Sequence, residues 1–238
     1  MQKLTKMAKK DQMAENREAI VNLLLNKAAL KQDIAEDVKE VFGMFKRIIG
    51  EELNSLKEKV NDPRVRLFHK EIGEFEQHAY VGSDVLIFHQ HNNVFRMTDD
   101  NPLWGTRYFR EDDTRGFFGV IYIYNFLAQS FIQNRLHDEG YLIARIFVNK
   151  EGHFMIEGKG QLGYLFRDIE NIVLSEEAVR AIVQLSFVFA IEFDLLVPPY
   201  EFIATMTVGE AQVISNNLQI QTGKRMGFKM KNDDSEIF

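Results

Sequence analysis

The sequence predicts an α+β fold in which an antiparallel sheet of about five strands, a meander plus a central hairpin, packs with helices. The hairpin lies at 140–159, where a Lys-Glu-Gly turn joins two apolar runs. Its first strand has almost no polar residue on either face, so both faces should be covered within the sheet. Alternating runs at 64–98 supply three more strands, and apolar helical runs at 117–136 and 176–196 supply the covering helices.

The first 62 residues predict a helical N-terminal extension, because they contain no proline and carry two apolar stripes. The longer stripe runs from 34 to 60 and begins with 4-3-4-3 spacing, while the shorter one occupies 20–25 on an upstream helix. These stripes could form a helical hairpin, pack on the chain's own domain or dimerise, and the sequence leaves the three arrangements open. The domain boundaries are 1–62 for the extension, 63–220 for the α+β domain and 221–238 for a polar C-terminal tail.

The composition places the 238-residue chain in the globular range, with 45% hydrophobic and 27% charged residues. A net charge of -6 gives no general attraction to phosphate backbones or anionic membranes, so neither nucleic acid nor a membrane is an expected partner. The lack of cysteine excludes disulfides, thiolate metal sites and a cysteine nucleophile. With neither a secretory signal nor an uninterrupted apolar span, the sequence predicts a cytoplasmic protein, and no motif indicates a cofactor.

The segment 99–116 breaks every periodicity and holds the only tryptophan of the chain. A loop of this length inside a compact domain is uncommon and is often functional. One interpretation is a recognition loop whose rigid aromatics and arginines contact a partner, and the other is an aromatic plug at the edge of the core with its charges in water. The candidate binding residues are Trp104, Arg107, Tyr108, Phe109 and Arg110.

Two histidines, His89 and His91, fall on one face of the third predicted strand, and His69 and His78 lie on neighbouring strands. Imidazoles on adjacent strands are one way in which a metal site is assembled. The alternative is a set of hydrogen-bonded surface groups at the wet end of a strand. Because the sequence does not show whether the faces of these strands coincide, His89 and His91 are candidates only.

The end of the hairpin carries Glu157 and Lys159, and Asp138 precedes its first strand. An antiparallel hairpin brings these ends near each other, and the set resembles the carboxylates and lysine with which PD-(D/E)xK nucleases hold a divalent metal and activate water. That resemblance implies catalytic roles for Asp138, Glu157 and Lys159 in a divalent-metal-dependent nuclease or phosphodiesterase. The proline of the motif is missing here, and Glu157 and Lys159 could instead form a surface ion pair.

The predicted order of helix, three strands, helix, hairpin and helix resembles that of the type III secretion chaperone-like superfamily. The resemblance covers about 33–196 without the 99–116 loop, and it is carried by YLIARIFVNKEGHFMIEGK followed by SEEAVRAIVQLSFVFAIEFDLL. It implies a small acidic protein that dimerises and holds partner proteins. The chain departs from the superfamily in its two N-terminal helices and in about 40 residues after the last core helix. It also resembles bacterial proteins, which adds no function.

These patterns favour a non-enzymatic protein-interaction module, of a chaperone-like or adaptor kind, over a nuclease, because no convergent catalytic set is visible. The apolar helices also offer more surface than a monomer of this size easily covers, so the sequence predicts a homodimer. A second partner protein would then bind at the 99–116 loop.

Overall fold

The structure is a computed structural model, which describes residues 2–136, 138–194, 204, 205 and 207–209, with side chains described from Gln12 onward. The C-terminal tail assigned to 221–238 lies outside the described residues. The α+β class that the sequence predicts is confirmed, because an antiparallel sheet packs against helices.

The N-terminal segment forms one helical run that consists of α1 (Gln2–Leu23), a π-helical turn (Leu24–Ala28) and α2 (Ala29–Lys59). The sequence predicts two helices here, and the structure joins them, since no proline or glycine interrupts the run before Gly43. At the π turn, the Asn26 side chain donates a hydrogen bond of 2.9 Å to the Asn22 carbonyl oxygen. The helix ends shortly before Pro63, which cannot donate to a further turn.

In the described chain, seven antiparallel strands form one sheet: β1 (Leu67–Glu71), β2 (Glu76–Val81), β3 (Asp84–Gln90), β4 (Phe95–Arg96), β5 (Phe117–Leu127), β6 (Tyr141–Asn149) and β7 (Phe154–Gly158). Their order is β1-β2-β3-β5-β6-β7, and the two-residue β4 also pairs with β5. The predicted meander and hairpin are confirmed, although the sheet has seven strands rather than about five. The hairpin β6–β7 lies at one side of the sheet, and the 11-residue β5 runs through its middle.

The helix predicted over 117–136 is wrong for most of its length, because 117–127 is the strand β5 and only α4 (Ala128–Ile132) is helical. The tract FFGVIYIYNFL is rich in aromatic and β-branched residues, which pack well on a pleated surface. Most of β5 is covered on both faces, so its apolar residues do not alternate with polar ones. The apparent helical spacing therefore comes from a continuous apolar run.

The remaining helices are α3 (Arg107–Glu111), which lies between two 3-10 turns, α5 (Gly160–Leu165) and α6 (Glu176–Glu192). The helix predicted from 176 is confirmed as far as Glu192. It begins where the sequence places its cap, since the Ser175 hydroxyl oxygen accepts a hydrogen bond of 3.2 Å from the Ala178 N–H.

Helices α2 and α6 cover one face of the sheet and build the main core with it. Gly119 on β5 allows a close approach of α2, because a Cβ atom there would lie 2.8 Å from Val38 Cβ. Arg180 ties α6 to α2, with its Nη2 2.7 Å from Glu51 Oε2. The residues of the predicted N-terminal extension that are buried in this core are Ile34, Val38, Phe42, Phe45, Ile48, Ile49 and Leu53.

The opposite face of the sheet is covered at its two ends. The 99–116 segment packs over one end, where Phe109 and Phe118 belong to a second small core. At the other end, Ala128 at the start of α4 packs on Tyr80 and Val85. Among the residues that the structure describes, no helix combines the length and apolar composition that a membrane span requires.

Candidate functional site: the projecting half of the N-terminal helix

The N-terminal helix leaves the domain before Ala28. Every side chain from 12 to 27 is exposed, and the first half-buried residues are Ala28 and Leu30. At 1.5 Å per residue, this projecting segment, defined as residues 12–27, is about 24 Å long. The described part of the domain therefore does not cover it.

The projecting segment carries more apolar surface than an isolated helix in water needs. Within 20–25 only Asn22 is polar, and this tract is apolar on more than one side of the helix. Its exposed apolar side chains, with the fraction exposed, are Ile20 (56%), Val21 (52%), Leu23 (60%), Leu24 (58%) and Leu25 (70%). No other six-residue window of the described chain holds as many exposed large apolar side chains.

A shallow groove of about 370 Å³ lies on one side of this tract. It is lined by Ile20, Leu23, Leu24, Lys27, Ala28 and Lys31. Leu24, Lys27 and Ala28 of the π turn line the groove, and such turns are often found at functional sites. The groove therefore has an apolar floor toward the N-terminus and two lysines toward the domain.

The spacing of the groove residues continues the repeat that fills the domain core. Ile20, Leu23, Lys27, Leu30 and Ile34 follow one another at intervals of 3, 4, 3 and 4 residues. Ile20 and Leu23 are 56% and 60% exposed, Leu30 is half-buried, and Ile34 is fully buried. The helix thus presents one continuous stripe, of which the sheet and α6 cover only the C-terminal part.

Five charges flank the exposed tract, with Glu15, Arg17 and Glu18 on its N-terminal side and Lys27 and Lys31 on its C-terminal side. None of these five residues forms an ion pair with another residue of the described chain. The Lys31 ammonium instead lies 5.9 Å from the centroid of the Phe117 ring, at the edge of the domain. The charges around the tract are therefore available to another molecule.

The predicted recognition residues of 99–116 divide between the second core and the surface. Phe109 is 1% exposed, and the cluster around it is completed by Met97, Phe118 and Ile169. Trp104 is half-buried, meets Phe109 edge-on at a centroid distance of 5.9 Å, and donates its indole N–H to Thr98 O at 2.8 Å. The structure thus places these two aromatic rings against the sheet, as the plug interpretation expects.

Tyr108 is held by polar partners on the β6–β7 turn. Its hydroxyl accepts a hydrogen bond of 2.8 Å from Asn149 Nδ2 and donates one of 2.9 Å to Glu151 Oε2. Burial is the main cause that raises the pKa of this hydroxyl to about 12. The Arg115 guanidinium lies 4.3 Å from the centroid of the tyrosine ring and binds Glu151 at 3.0 Å. This network holds the 99–116 segment on the sheet.

Arg107 and Arg110 are the exposed members of the predicted set. Arg107 Nε lies 2.6 Å from Glu111 Oε1, and Arg110 Nε donates to Thr106 O at 3.2 Å. Each arginine therefore has a partner within its own short helix or at its cap.

The histidines of the meander fall on two faces of the sheet. His78 Nε2 lies 2.6 Å from Glu76 Oε1, and His89 Nδ1 lies 3.5 Å from Glu76 Oε2, so these two imidazoles share one carboxylate. His69 faces α2, and its Nδ1 lies 2.8 Å from Gln77 Nε2.

The fourth histidine, His91, accepts a hydrogen bond of 3.0 Å at its Nδ1 from the backbone N–H of Asn93. Within the described residues, no group of three or more histidine, aspartate or glutamate side chains could hold a metal ion.

The residues suggested for a nuclease site have separate partners. Asp138 Oδ2 lies 2.9 Å from Arg135 Nε and accepts a hydrogen bond of 2.6 Å from the Ser130 hydroxyl. Glu157 forms an ion pair across the hairpin with Arg145, its register partner on β6. Lys159 is exposed and precedes α5. Asp138 and Glu157 therefore form ion pairs with two different arginines.

No family model, curated protein or solved structure matches this chain. The element order also differs from the one on which the resemblance to the chaperone-like superfamily rests, because a strand and not a helix connects the meander to the hairpin. The function must therefore be inferred from the surface itself. The sequence did contain its signal, since the tract at 20–25 is too apolar for a single helix face.

Proposed function

We propose that this chain is a cytoplasmic, non-enzymatic protein-interaction module that assembles into a homodimer through its projecting segment. The observation that carries the proposal is the exposure of five neighbouring apolar side chains, Ile20 to Leu25 without Asn22, at 52 to 70% each. Contiguous apolar patches of this kind are rare on monomeric proteins and mark interaction sites.

The energetic case rests on what the tract gains when another surface covers it. Full burial of one valine, leucine or isoleucine side chain is worth about 1.5–3 kcal/mol. The described part of the domain does not provide this burial, because every side chain from 12 to 27 is exposed. A second copy offers the same tract, and a self-complementary patch closes on a two-fold axis.

A chaperone-like or adaptor role for the dimer is part of this proposal. It is supported by the strip of sheet that lies open between the two covered ends of the second face. There Tyr122 and Tyr124 stack with ring centroids 6.0 Å apart, and the half-buried Arg145 is the register partner of Tyr122. Tyrosine and arginine are enriched at protein–protein interfaces. A partner protein would bind this strip and leave the helix free to dimerise.

The enzyme alternative lacks a supporting observation, because Asp138 and Glu157 are each engaged by an arginine. In assays with Mg²⁺ or Mn²⁺ and DNA or RNA, we expect no metal-dependent cleavage. Cleavage that disappears in a Glu157→Ala variant would support the nuclease instead.

Sedimentation velocity over a concentration series tests the dimer. The variant that carries both Leu23→Glu and Leu24→Glu keeps good helix formers but puts charges in the apolar tract. Leu136→Glu is the control, because Leu136 is 80% exposed but belongs to the domain surface. We expect the parent chain and the control to sediment as dimers at tens of micromolar and the double variant as a monomer. A monomeric parent, or a dimeric double variant, would contradict the proposal.

Deletion of the whole 1–62 region is not a suitable test. That deletion removes α2, and with it Phe42, Phe45 and the other core residues that cover the sheet. The point variants leave this core intact.

A further inference from the structure

We infer that the two copies pair with their projecting segments antiparallel, around a two-fold axis that passes near Leu23. This inference rests on the proposed dimer and adds its geometry. It follows from the position of charges in and beside the groove, which distinguish the two possible orientations of a helix pair.

A parallel, in-register pair brings each residue of the stripe opposite its own copy. Lys27 and Lys31 line the groove together with Leu23 and Leu24. In a parallel pair these lysines would face their copies across an apolar seam, where like charges repel and water is reduced. The parallel orientation is therefore disfavoured by two lysine pairs.

An antiparallel pair removes both of these contacts. Glu15 and Lys31 each lie eight residues from Leu23, on opposite sides, so each Glu15 falls opposite the Lys31 of the second copy. Ala19 and Lys27 each lie four residues from Leu23, so the small alanine leaves room for the lysine chain. Neither Glu15 nor Lys31 has an ion pair within the described chain, so both are free to form this one.

The apolar contacts also suit this orientation. Leu23 would meet its own copy on the axis, and Ile20 and Leu24 lie within three residues of it. The three side chains are 56 to 60% exposed and line one groove. Around the axis, the pair would therefore bury a compact apolar centre that has a charge pair at each end.

The domains do not obstruct the pairing. They would lie at opposite ends of the helix pair, because each domain begins on the C-terminal side of its own Leu23. Residues 28–33, beside which the second copy would pass, are exposed or half-buried. The Glu15 carboxylate of the second copy can thus approach Lys31 at the edge of the domain.

Disulfide cross-linking tests the orientation directly, because the chain has no cysteine of its own. Leu23→Cys places a thiol on the axis and cross-links in either orientation. Ala19→Cys cross-links with itself only in a parallel pair. In an antiparallel pair, an Ala19→Cys chain cross-links with a Lys27→Cys chain. Tyr164→Cys, at a position that is 74% exposed on the domain surface, controls for random collision.

We expect Leu23→Cys to form covalent dimers under mild oxidation and the mixture of Ala19→Cys with Lys27→Cys to form the mixed dimer. Ala19→Cys alone and Tyr164→Cys should stay monomeric on non-reducing gels. Failure of Leu23→Cys to cross-link, in a parent chain that sediments as a dimer, would overturn the axis near Leu23, whereas a parent chain that sediments as a monomer would overturn the dimer itself. A Leu23→Cys dimer combined with self-linked Ala19→Cys, or without the mixed dimer, would keep the dimer and overturn the antiparallel arrangement.

Charge reversal gives a second, independent readout. Glu15→Lys and Lys31→Glu should each weaken dimerisation by about threefold to tenfold, because each breaks two symmetry-related exposed ion pairs. The chain that carries both substitutions restores opposite charges across the pair and should regain the parental dissociation constant. If the doubly substituted chain is as weak as the single variants, these residues do not face each other and the inference fails.

Discussion

The N-terminal helix divides near Ala28 into two halves with apolar residues at similar spacing and with different surroundings. The half from 34 to 53 places seven apolar side chains at 0 or 1% exposure against the sheet and α6. The half from 12 to 27 leaves every side chain exposed, including five apolar residues at 20–25. The same periodicity thus specifies an intramolecular core in one half and a free surface in the other.

The difference shows what an apolar stripe alone does not determine. A stripe at helical spacing predicts that one face of the helix will be covered, but it does not identify what covers it. Here the contacts of the helix with the domain core end near Leu30, and the helix continues beyond them. The remaining stripe is therefore assigned to a second copy in our proposal.

The largest expected difference between the halves is in the free energy of unfolding after truncation. Phe45→Ala should cost about 3–5 kcal/mol, because Phe45 is 0% exposed and packs near Phe88 at a centroid distance of 6.1 Å. Leu24→Ala should change the stability of the monomer by less than about 0.5 kcal/mol. Urea unfolding at concentrations below those that support the dimer measures both. Equal losses would mean that the two halves are equally buried.

Two glycine substitutions test how closely α2 packs on β5. Gly119→Ala should destabilise the protein by about 1–3 kcal/mol, since the new methyl group would overlap the Val38 side chain of α2. Gly43→Ala should stabilise it by about 0.5–1 kcal/mol, because Gly43 lies inside α2 and its new methyl group would meet no neighbouring side chain within 4 Å. Thermal unfolding reports both shifts. Shifts in the same direction would contradict the close contact of α2 with β5.

The smallest expected effect concerns the acid sensitivity of the domain half. Hydrogen bonds from Arg180, and then from Arg47, lower the pKa of Glu51 from its ordinary value near 4.5. A carboxyl group with a lowered folded-state pKa adds stability above its unfolded-state pKa, and this stability is lost as pH falls through the folded-state value. The melting temperature of the Arg180→Met variant should therefore fall less between pH 7 and pH 3 than that of the parent. Lys27→Met, which removes a charge without an ion-pair partner in the described chain, should follow the parent.

Much of the fold could be predicted from local patterns. The meander alternates between apolar and polar residues, and the hairpin and α6 carry clear turn and capping signals. β5 could not be assigned in this way, because a strand that is covered on both faces has no alternation. In FFGVIYIYNFL the aromatic and β-branched composition indicated a strand, and the chance helical spacing of Val120, Ile121 and Tyr124 outweighed it.

The candidate site was only partly visible in the sequence. The tract at 20–25 stood out as apolar, but its exposure depends on where the sheet ends along the helix, which is a tertiary property. The 99–116 segment stood out for its aromatic residues, and its packing on β5 and on the β6–β7 turn depends on contacts distant in sequence, such as Tyr108 with Glu151. Composition identified both segments, and only the fold distinguished the covered one from the free one.

Hydrogen–deuterium exchange at several protein concentrations tests the contrast between the two halves most directly. Amides of 34–53 should be strongly protected at every concentration, because their protection comes from the domain core. Amides of 16–27 should exchange rapidly in dilute protein, where an isolated helix is marginal, and become protected as the concentration rises into the dimer range. Protection of 16–27 that is independent of concentration, whether high or low, would contradict the claim that a second copy covers the projecting segment.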